Sequence, residues 1–254
     1  MGNLFEYYME ADGLHLKYAK GEPAVKDREF HDYNEFVYFM DGQLDFISKN
    51  IQQKLEPGSL ILIPQEHFHQ FCVKNPEKYT RCILGFYKTQ EIEELTCEVM
   101  DTIKVIANPD KKLISAFEQL IEIIKSNLSD KEKMMFVRSF TVQLLIRLKH
   151  DSCVTVTKSI TLSPIVSQTL NLIDEKYDEN LSVEVLAKKL NVSPSTLAHK
   201  FSREMNISLY RYISKKRLSV ANNMIRSGVP ITTAALSCGF SDYSCFYRLY
   251  KKYY

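Results

Sequence analysis

The chain has 254 residues, of which 45% are hydrophobic and 25% are charged. These values are typical of a globular protein with one large domain or two ordinary ones. No run of about 18 apolar residues occurs, which argues against a membrane-spanning helix. Residues 1–13 lack the basic and apolar regions of a secretory signal, and the six cysteines show no C-x-x-C pair. The sequence therefore predicts a cytoplasmic protein with reduced thiols.

The formal net charge of +2 hides an asymmetry along the chain. Residues 152–254 carry 14 Lys and Arg against 7 Asp and Glu, whereas residues 1–151 carry 19 against 24. A basic C-terminal part beside an acidic N-terminal part indicates a polyanionic partner, such as nucleic acid, for the C-terminal part only.

The first third of the chain has the pattern of short strands separated by turn residues. Asp41-Gly42 stands between two alternating runs in EFVYFMDGQLDFI, which is a strong hairpin signal. Pro57-Gly58 and Pro64 enclose the apolar run SLILI, as expected of a buried strand. Several short strands at this spacing predict a small β-barrel or jelly roll.

Histidine and glutamate residues in this region follow a two-part pattern. Glu29, His31 and Glu35 form the first part, and His69 closes the second, which begins at a Gly-x5-Pro spacing. The pattern resembles the signature of the cupin family, in which histidines and a glutamate from adjacent strands point into a barrel and can hold a divalent metal. The match is partial, because Glu29 occupies the position of the family's first histidine and Glu66 that of its second-motif glycine.

Three interpretations of these residues remain open. They form a metal site that suits a first-row ion, a polar ligand pocket, or a set of structural hydrogen bonds. We expect a pocket for a small-molecule effector, and we assign no metal or other cofactor. No nucleophilic triad and no Gly-rich phosphate loop occurs, so we assign no catalytic residue. The residues expected to line the pocket are His31, Glu35, Tyr38 and His69, with Phe71 or Tyr18 as further candidates.

From about residue 91 the apolar spacing changes from 2 to 3.6, which predicts helices to about residue 150. After a Ser129-Asp130 cap, one helix carries apolar residues at near-heptad spacing from Met134 to Leu148, and others lie on a second side. A helix with two apolar faces needs two partners. We expect the barrel on one side and a second subunit on the other, giving a homodimer through helices in residues 110–149; the alternative is that one chain covers both faces.

Residues 151–163 are rich in Ser and Thr and lack a helical period, which predicts an interdomain linker. Beyond it, LSVEVLAKKLNVSPSTLAHKFSREMN predicts two helices with a tight turn between them. Ser182 and Ser193 are candidate caps, and Asn191 stands four residues after Ala187 at a turn position where Asn can adopt the left-handed conformation.

The segment ITTAALSCGFSDYSCFYRLYKK, residues 231–252, repeats this arrangement. Ala235 precedes Gly239 by four residues, and Ser241 or Asp242 caps the next helix. Phe246 and its i+4 partner face inward, so arginine, tyrosine and hydroxyl groups remain outside, as in a major-groove reader.

A helix of about 20 residues separates the two units and would span about 30 Å, close to the ~34 Å of one DNA turn. Two helix-turn-helix units at this separation could reach successive major grooves on one face of DNA. The predicted fold class is therefore α+β with two domains. Residues 1–150 form a cupin-like barrel (about 7–86) followed by helices (about 91–150), 151–163 form the linker, and 164–254 form an all-α domain with two helix-turn-helix motifs joined by a linker helix.

Residues from about 163 to 254 resemble the DNA-binding domain of the AraC family of bacterial transcription regulators. The barrel followed by helices is similar to the family's ligand-sensing and dimerising half, so the resemblance covers nearly the whole chain. Two departures from the family pattern concern the second motif. Ala234 stands where the family has a larger aliphatic residue, so we expect looser packing of that helix, and the family's Gly-x-Ser/Thr-Pro segment does not follow Tyr254. We therefore expect the first motif to anchor the DNA complex and the second to tune it. The matching segments are LSVEVLAKKLNVSPSTLAHKFSRE, RLSVANNMI and ITTAALSCGFSDYSCFYRLYKK.

The resemblance implies a sequence-specific regulator that binds double-stranded DNA, contacts RNA polymerase as an activator, senses a sugar or related metabolite and is not an enzyme. The alternatives are a metal-dependent cupin enzyme with a DNA-binding tail, and a regulator whose N-terminal half only dimerises or binds a partner protein. In the first motif we expect Ser195, Thr196 and His199 near base edges, with Lys200 and Arg203 near phosphates. In the second we expect Tyr243, Ser244, Tyr247 and Arg248 in the groove, with Lys251 and Lys252 on the backbone.

Overall fold

The computed structural model describes residues 5–21, 29–48, 52–150, 162–205 and 207–254. The chain folds into two compact units, Met1–Ile160 and Thr161–Tyr254. The division falls within the predicted linker, most of which lies outside the described residues. Among the residues described, none of the helices combines the length and apolar character needed to cross a membrane.

The N-terminal unit is built from antiparallel strands followed by helices. Its described strands are β1 (Phe5–Ala11), β2 (Leu14–Lys20), β3 (Asn34–Asp41), β4 (Leu44–Ser48), β5 (Gln52–Leu55), β6 (Leu60–Ile63), β7 (His69–Val73), β8 (Thr80–Phe86) and β9 (Lys104–Ile106). Its described α-helices are α1 (Glu93–Val99), α2 (Lys111–Lys125) and α3 (Asp130–His150). The strands form a six-stranded sheet in the order β1-β2-β8-β3-β6-β9 and a three-stranded sheet in the order β5-β4-β7.

Strand alternation gives the large sheet two different faces. One face shares an apolar core with the small sheet, to which Phe39, Phe46 and Phe71 contribute. The other face packs against α2 and α3, and Tyr38 there stacks on Phe117 with 4.5 Å between ring centroids. Side chains that enter the barrel therefore come from every second residue of each strand. This arrangement confirms the predicted cupin-like fold.

The predicted hairpin at Asp41-Gly42 was wrong. β3 ends at Asp41 and β4 begins at Leu44, but β3 pairs with β6 and β8 in the large sheet, whereas β4 pairs with β5 and β7 in the small one, so the turn connects the two sheets. The predicted run of helices from residue 91 to 150 was wrong in one place: Lys104–Ile106 forms β9, which pairs with β6. Three residues are too few for a period to be read from the sequence.

Glu66 occupies the position at which the cupin pattern has a glycine. It adopts a positive φ of 62°, a conformation that is unfavourable for most residues other than glycine.

The caps predicted for the long helix are present. The Ser129 hydroxyl donates to the Glu132 carboxylate at 2.6 Å, and this carboxylate also accepts the Ser129 backbone N–H at 2.9 Å.

The near-heptad stripe of α3 is buried, whereas Met135 is 65% exposed and Ile146 is 45% exposed. The second apolar side of α3 is thus only partly covered within the unit.

The C-terminal unit is helical throughout its described elements. They are α4 (Pro164–Lys176), α5 (Val183–Lys189), α6 (Pro194–Met205), α7 (Leu209–Arg226), α8 (Ile231–Ser237) and α9 (Tyr243–Tyr253). Helices α5 and α6 form the first predicted helix-turn-helix motif, and α8 and α9 form the second. The linker helix α7 has 18 residues, and its length is about 27 Å at 1.5 Å per residue.

Candidate nucleic-acid interface and effector pocket

The first motif is held by local capping and by an apolar core. The Ser182 hydroxyl accepts the Val185 N–H at 3.2 Å, and Asn191 has a φ of 53° in the turn. Leu197 and Phe201 are fully buried on the inner side of α6. Because α6 repeats every 3.6 residues, its opposite side is left for solvent.

The residues expected to contact DNA in the first motif lie on that opposite side. Ser195, Thr196, His199 and Arg203 are exposed, and Lys200 is half-buried. The Thr196 backbone N–H donates to the Ser193 hydroxyl at 3.1 Å, so the cap fixes the start of α6. The exposed surface offers hydroxyl groups, an imidazole and a guanidinium group.

The second motif has a glycine in its turn and an aspartate cap. Gly239 has a φ of 79°, and the Asp242 carboxylate accepts the Ser244 and Cys245 N–H groups at 2.9 and 3.2 Å. Phe246 is fully buried, as predicted from the spacing. The residues expected to contact DNA here are all exposed, and they are Tyr243, Ser244, Tyr247, Arg248, Lys251 and Lys252.

Contacts outside the second motif fix the position of its turn. A Cβ added at Gly239 would lie 2.5 Å from the carbonyl oxygen of Asp178, in the segment that joins α4 to α5. Arg217 of α7 donates from Nε to the Tyr177 carbonyl and from Nη2 to the Glu179 carbonyl, both at 2.6 Å. The second motif is therefore positioned by the segment that leads into the first. This coupling was not predicted.

A polar pocket opens on the barrel-facing side of the large sheet. Its volume is about 470 Å³. Ionisable side chains from four strands, β1, β2, β3 and β8, converge on it. The lining residues are Tyr8, Glu10, His15, Lys17, Glu29, Tyr33, Glu35, Arg81, Ile83 and Tyr87.

Three of the four residues that were expected to line the pocket meet beside it. His31, Glu35 and His69 are buried, and one ligand atom of each lies within 4.8 Å of the others. His31 Nε2 is 3.3 Å from Glu35 Oε2, and His69 Nε2 is 3.6 Å from the same oxygen. Glu29 adds a carboxylate oxygen 3.5 Å from His69 Nε2. The four groups form one cluster, which we call the His-Glu cluster.

The charges of these groups depend on one another. Burial opposes ionisation of Glu35, yet the neighbouring His31, His69 and His15 hold its pKa below the ordinary value. Burial likewise opposes a charge on His69, but the carboxylates of Glu29 and Glu35 raise its pKa. Burial lowers the pKa of His15, which favours the neutral imidazole. The pocket thus holds an ionised buried carboxylate between imidazoles.

The assignment of Tyr38 to the pocket was wrong. It is three residues from Glu35 on the same strand, so its side chain points to the opposite face of the sheet. There it stacks on Phe117 of α2. Tyr18, a further candidate, also lies on the helix side, where the Lys125 ammonium donates to its hydroxyl at 3.4 Å.

Several pocket residues escaped the sequence analysis. His15 and Lys17 come from β2, and Arg81 comes from β8, where they alternate with core residues. Gly85 pairs with His15 on one side and Glu35 on the other, and a Cβ on Gly85 would overlap the His15 ring at 1.9 Å. The alternation of β2 and β8 is a signal that could have indicated these side chains.

The donor set of the His-Glu cluster fits a divalent metal ion. His69 is fully buried, and its Nε2 has no hydrogen-bond partner. Two imidazoles and a carboxylate are suitable ligands for first-row transition metals. An ion would be held by His31, Glu35 and His69 and would supply a Lewis-acidic centre there.

The fold and the two sites define a class of protein: regulators in which a double helix-turn-helix unit accompanies a ligand-binding barrel. Residues 18–135 match the model of the AraC-like ligand binding domain, and residues 186–254 match that of a helix-turn-helix domain. The chain belongs to the AraC family of transcriptional regulators, as the resemblance implied. It is a DNA-binding regulator with an N-terminal ligand-binding domain.

Two relatives match over most of their length. The probable transcriptional regulator LumQ of Photobacterium leiognathi is 30% identical over 248 residues, which cover 90% of this chain and 89% of that protein. The Msm operon regulatory protein of Streptococcus mutans is 23% identical over 237 residues, covering 91% and 83%. The solved structure of ToxT from Vibrio cholerae aligns over 94% of both chains with 12% identity and a TM-score of 0.42.

Proposed function

We propose that α6 and α9 are the two recognition helices of a sequence-specific, cytoplasmic activator. The observation that carries this proposal is the exposure of polar and basic side chains on both helices, each opposite a buried face. In this proposal Ser195, Thr196 and His199 contact base edges from α6, with Lys200 and Arg203 at phosphates. From α9, Tyr243, Ser244, Tyr247 and Arg248 enter the groove, with Lys251 and Lys252 on the backbone.

Selection of bound fragments from a random DNA library tests this function. The full chain is expected to enrich one motif with two conserved blocks. A pool that stays random after repeated selection would contradict sequence-specific binding. In vitro transcription from a promoter that carries the selected site then tests activation through RNA polymerase, and a fall in transcript would indicate a repressor instead.

We propose that the pocket binds a hydroxyl-rich small molecule, such as a sugar or related metabolite, without converting it. Aromatic rings of Tyr8, Tyr33 and Tyr87 can stack on a sugar ring, while the charged side chains around them can bond its hydroxyl groups. The presence of this cavity favours a sensing role over a purely dimerising one. His31 and His69 lie behind the residues that line the pocket, where they contact the carboxylates of Glu35 and Glu29.

A thermal-shift screen with saccharides tests the effector class. A ligand at 100 times its Kd should stabilise the chain by about 2.7 kcal/mol. Lys17→Gln, which changes the pocket wall, should reduce the shift, whereas Lys20→Gln at the exposed end of the same strand should retain it. If no saccharide shifts the melting temperature, the proposal that the effector is a sugar is contradicted. Recovery of a chemically altered saccharide would favour the enzymatic alternative.

We further propose a homodimer through helices in residues 110–149. Met135 and Ile146 are exposed on α3, and a groove of about 880 Å³ runs between α3 and β1. A second α3 could cover this apolar surface. Met135→Glu should shift the sedimentation of the chain from dimer to monomer, whereas Leu236→Glu, at an equally exposed position on α8, should not. A wild-type monomer at micromolar concentration would contradict the proposal.

A further inference from the structure

We propose that the effector is a saccharide that carries a negatively charged group, a phosphate or a carboxylate, which Lys17 and Arg81 bind at one end of the pocket. This inference rests on the proposed sugar-binding role of the pocket, and it names the chemical class of the sugar. The sequence analysis assigned neither residue to a site.

Strand pairing brings the two cations together on one face of the large sheet. Lys17 of β2 pairs with Ile83 of β8, so it lies diagonally from Arg81, two residues along β8. Diagonal neighbours of this kind are about 7–8 Å apart, which is within reach of long side chains. Both side chains line the pocket. One anionic group can therefore contact both of them.

The guanidinium group of Arg81 is held in a position that suits an anion. Arg81 is 4% exposed, and its Cζ lies 4.6 Å from the ring centroid of Tyr79, which is fully buried. A guanidinium that stacks on a ring keeps its N–H groups directed outward in its own plane. Such a group binds phosphate or carboxylate through paired N–H···O bonds, which are about twice as strong as hydrogen bonds between neutral groups.

The other end of the pocket offers hydrogen-bond acceptors. Glu35 of β3 pairs with Gly85 of β8, and Gly85 is about 13 Å from Arg81 along the strand. Although burial opposes the ionisation of Glu35, the neighbouring imidazoles hold its pKa below the ordinary value. An ionised carboxylate accepts hydrogen bonds from sugar hydroxyl groups and repels an anion, whereas Lys17 and Arg81 only donate.

All three carboxylates that line the pocket are associated with this acceptor end. Glu10 lies in the same row of paired residues as Glu35, and its carboxylate accepts the Tyr8 hydroxyl at 2.5 Å. Glu29 and Glu35 approach the same imidazole nitrogen of His69, at 3.5 and 3.6 Å. The distribution of charge therefore orients the ligand, with its hydroxyl groups toward the carboxylates and its anionic group toward Arg81.

Calorimetric titration of the full chain with matched saccharides tests the inference. Glucose, galactose and mannose are each compared with their 6-phosphates and with their uronic acids, so that the forms differ only at C6. We expect at least one anionic sugar to bind at least about tenfold more tightly than its neutral parent, because hydrogen bonds to charged groups contribute that much. The phosphate and carboxylate series show which of the two groups the site accepts.

Variants of β2 connect this preference to the proposed residues. Lys17→Gln should reduce the ratio of the two affinities at least about fivefold, as expected for the loss of one charge pair about 4 Å apart in water. Lys17→Arg keeps the charge and should keep the preference. Lys20→Gln is the matched control, because Lys20 is exposed at the end of the same strand and should leave the ratio unchanged. Circular dichroism melting checks that each variant is folded.

The outcomes separate this inference from the proposal on which it rests. If a neutral hexose binds and none of the anionic sugars binds more tightly than its neutral parent, the inference is overturned and the sugar-binding role stands. If no saccharide of either kind binds the folded chain, both fail. A preference for the anionic form that Lys17→Gln leaves unchanged would overturn the assignment of the anion to Lys17 and Arg81.

Discussion

The two helix-turn-helix motifs reach similar shapes by different means. The first is held by hydroxyl caps, an asparagine turn and buried Leu, Phe and Met side chains within α5 and α6. The second has an aspartate cap, but its turn at Gly239 rests against the carbonyl of Asp178, and Arg217 holds the same segment from α7. The first motif also contacts α7, where the ring centroids of Phe201 and Tyr212 lie 5.4 Å apart, but the turn of the second motif rests directly on backbone from outside the motif.

This difference revises what Ala234 was expected to do. A small residue at this position of α8 was expected to loosen the second motif. Ala234 is fully buried in a cluster with Leu218, Ala221 and Phe246. The small side chain is therefore part of a close approach between α7 and α8, and the motif is secured by contacts that come from outside it. A substitution at those contacts should affect the second motif more than one in the asparagine turn affects the first.

The largest effect is expected at Gly239. Alanine there would meet the Asp178 carbonyl at 2.5 Å and would adopt a positive φ, so Gly239→Ala should lower the free energy of unfolding by about 2–4 kcal/mol. Gly228→Ala is the matched control, because Gly228 has a φ of 95° and open space around its Cβ. It should cost about 1 kcal/mol. Chemical denaturation measures both, and equal losses would show that the close approach contributes nothing.

The next effect concerns DNA specificity in the second motif. Arg248→Ala should weaken binding to a selected site by about 1–3 kcal/mol, because a bidentate guanine contact is worth that much. Binding to random DNA should fall far less. Lys252→Ala, on the same helix, should weaken both kinds of DNA to a similar extent, as expected of a phosphate contact. Competition binding assays at one salt concentration distinguish these outcomes, and an equal loss for Arg248→Ala would assign it to phosphate.

The smallest effect is expected at the turn of the first motif. Asn191 has a φ of 53°, so Asn191→Ala should cost about 1 kcal/mol. Asn191→Gly should change the stability by less than about 0.5 kcal/mol, since glycine adopts this conformation freely. Thermal unfolding of the two variants provides the comparison. If Asn191→Ala and Asn191→Gly lowered the stability by the same amount, the positive φ would not explain the preference for asparagine at this turn.

Features that depend on nearby residues were predictable from the sequence. Ser182 and Asp242 cap helices, Asn191 and Gly239 form turns, and the periodic apolar stripe of α3 is buried, because each follows from spacing within a few residues. Features that depend on strand register were not. β9 is too short to show a period.

The pocket illustrates the same limit. The cupin-like pattern indicated the two histidines and the buried glutamate. Tyr38 was assigned to the wrong face of the sheet, because side chains alternate along a strand and Tyr38 is an odd number of residues from Glu35. His15 and Arg81 come from distant parts of the chain and meet only because β2 and β8 pair. Likewise, the contact of Gly239 with Asp178 joins segments about 60 residues apart in sequence. No local pattern contains these relations.

Hydroxyl-radical footprinting on the selected DNA tests the central claim, that one chain carries two reading helices about one helical turn apart. The account predicts two protected segments on one face of the DNA, with centres about 10 base pairs apart. Arg248→Ala should weaken only one of them. A single protected segment for the folded wild-type chain would contradict the account.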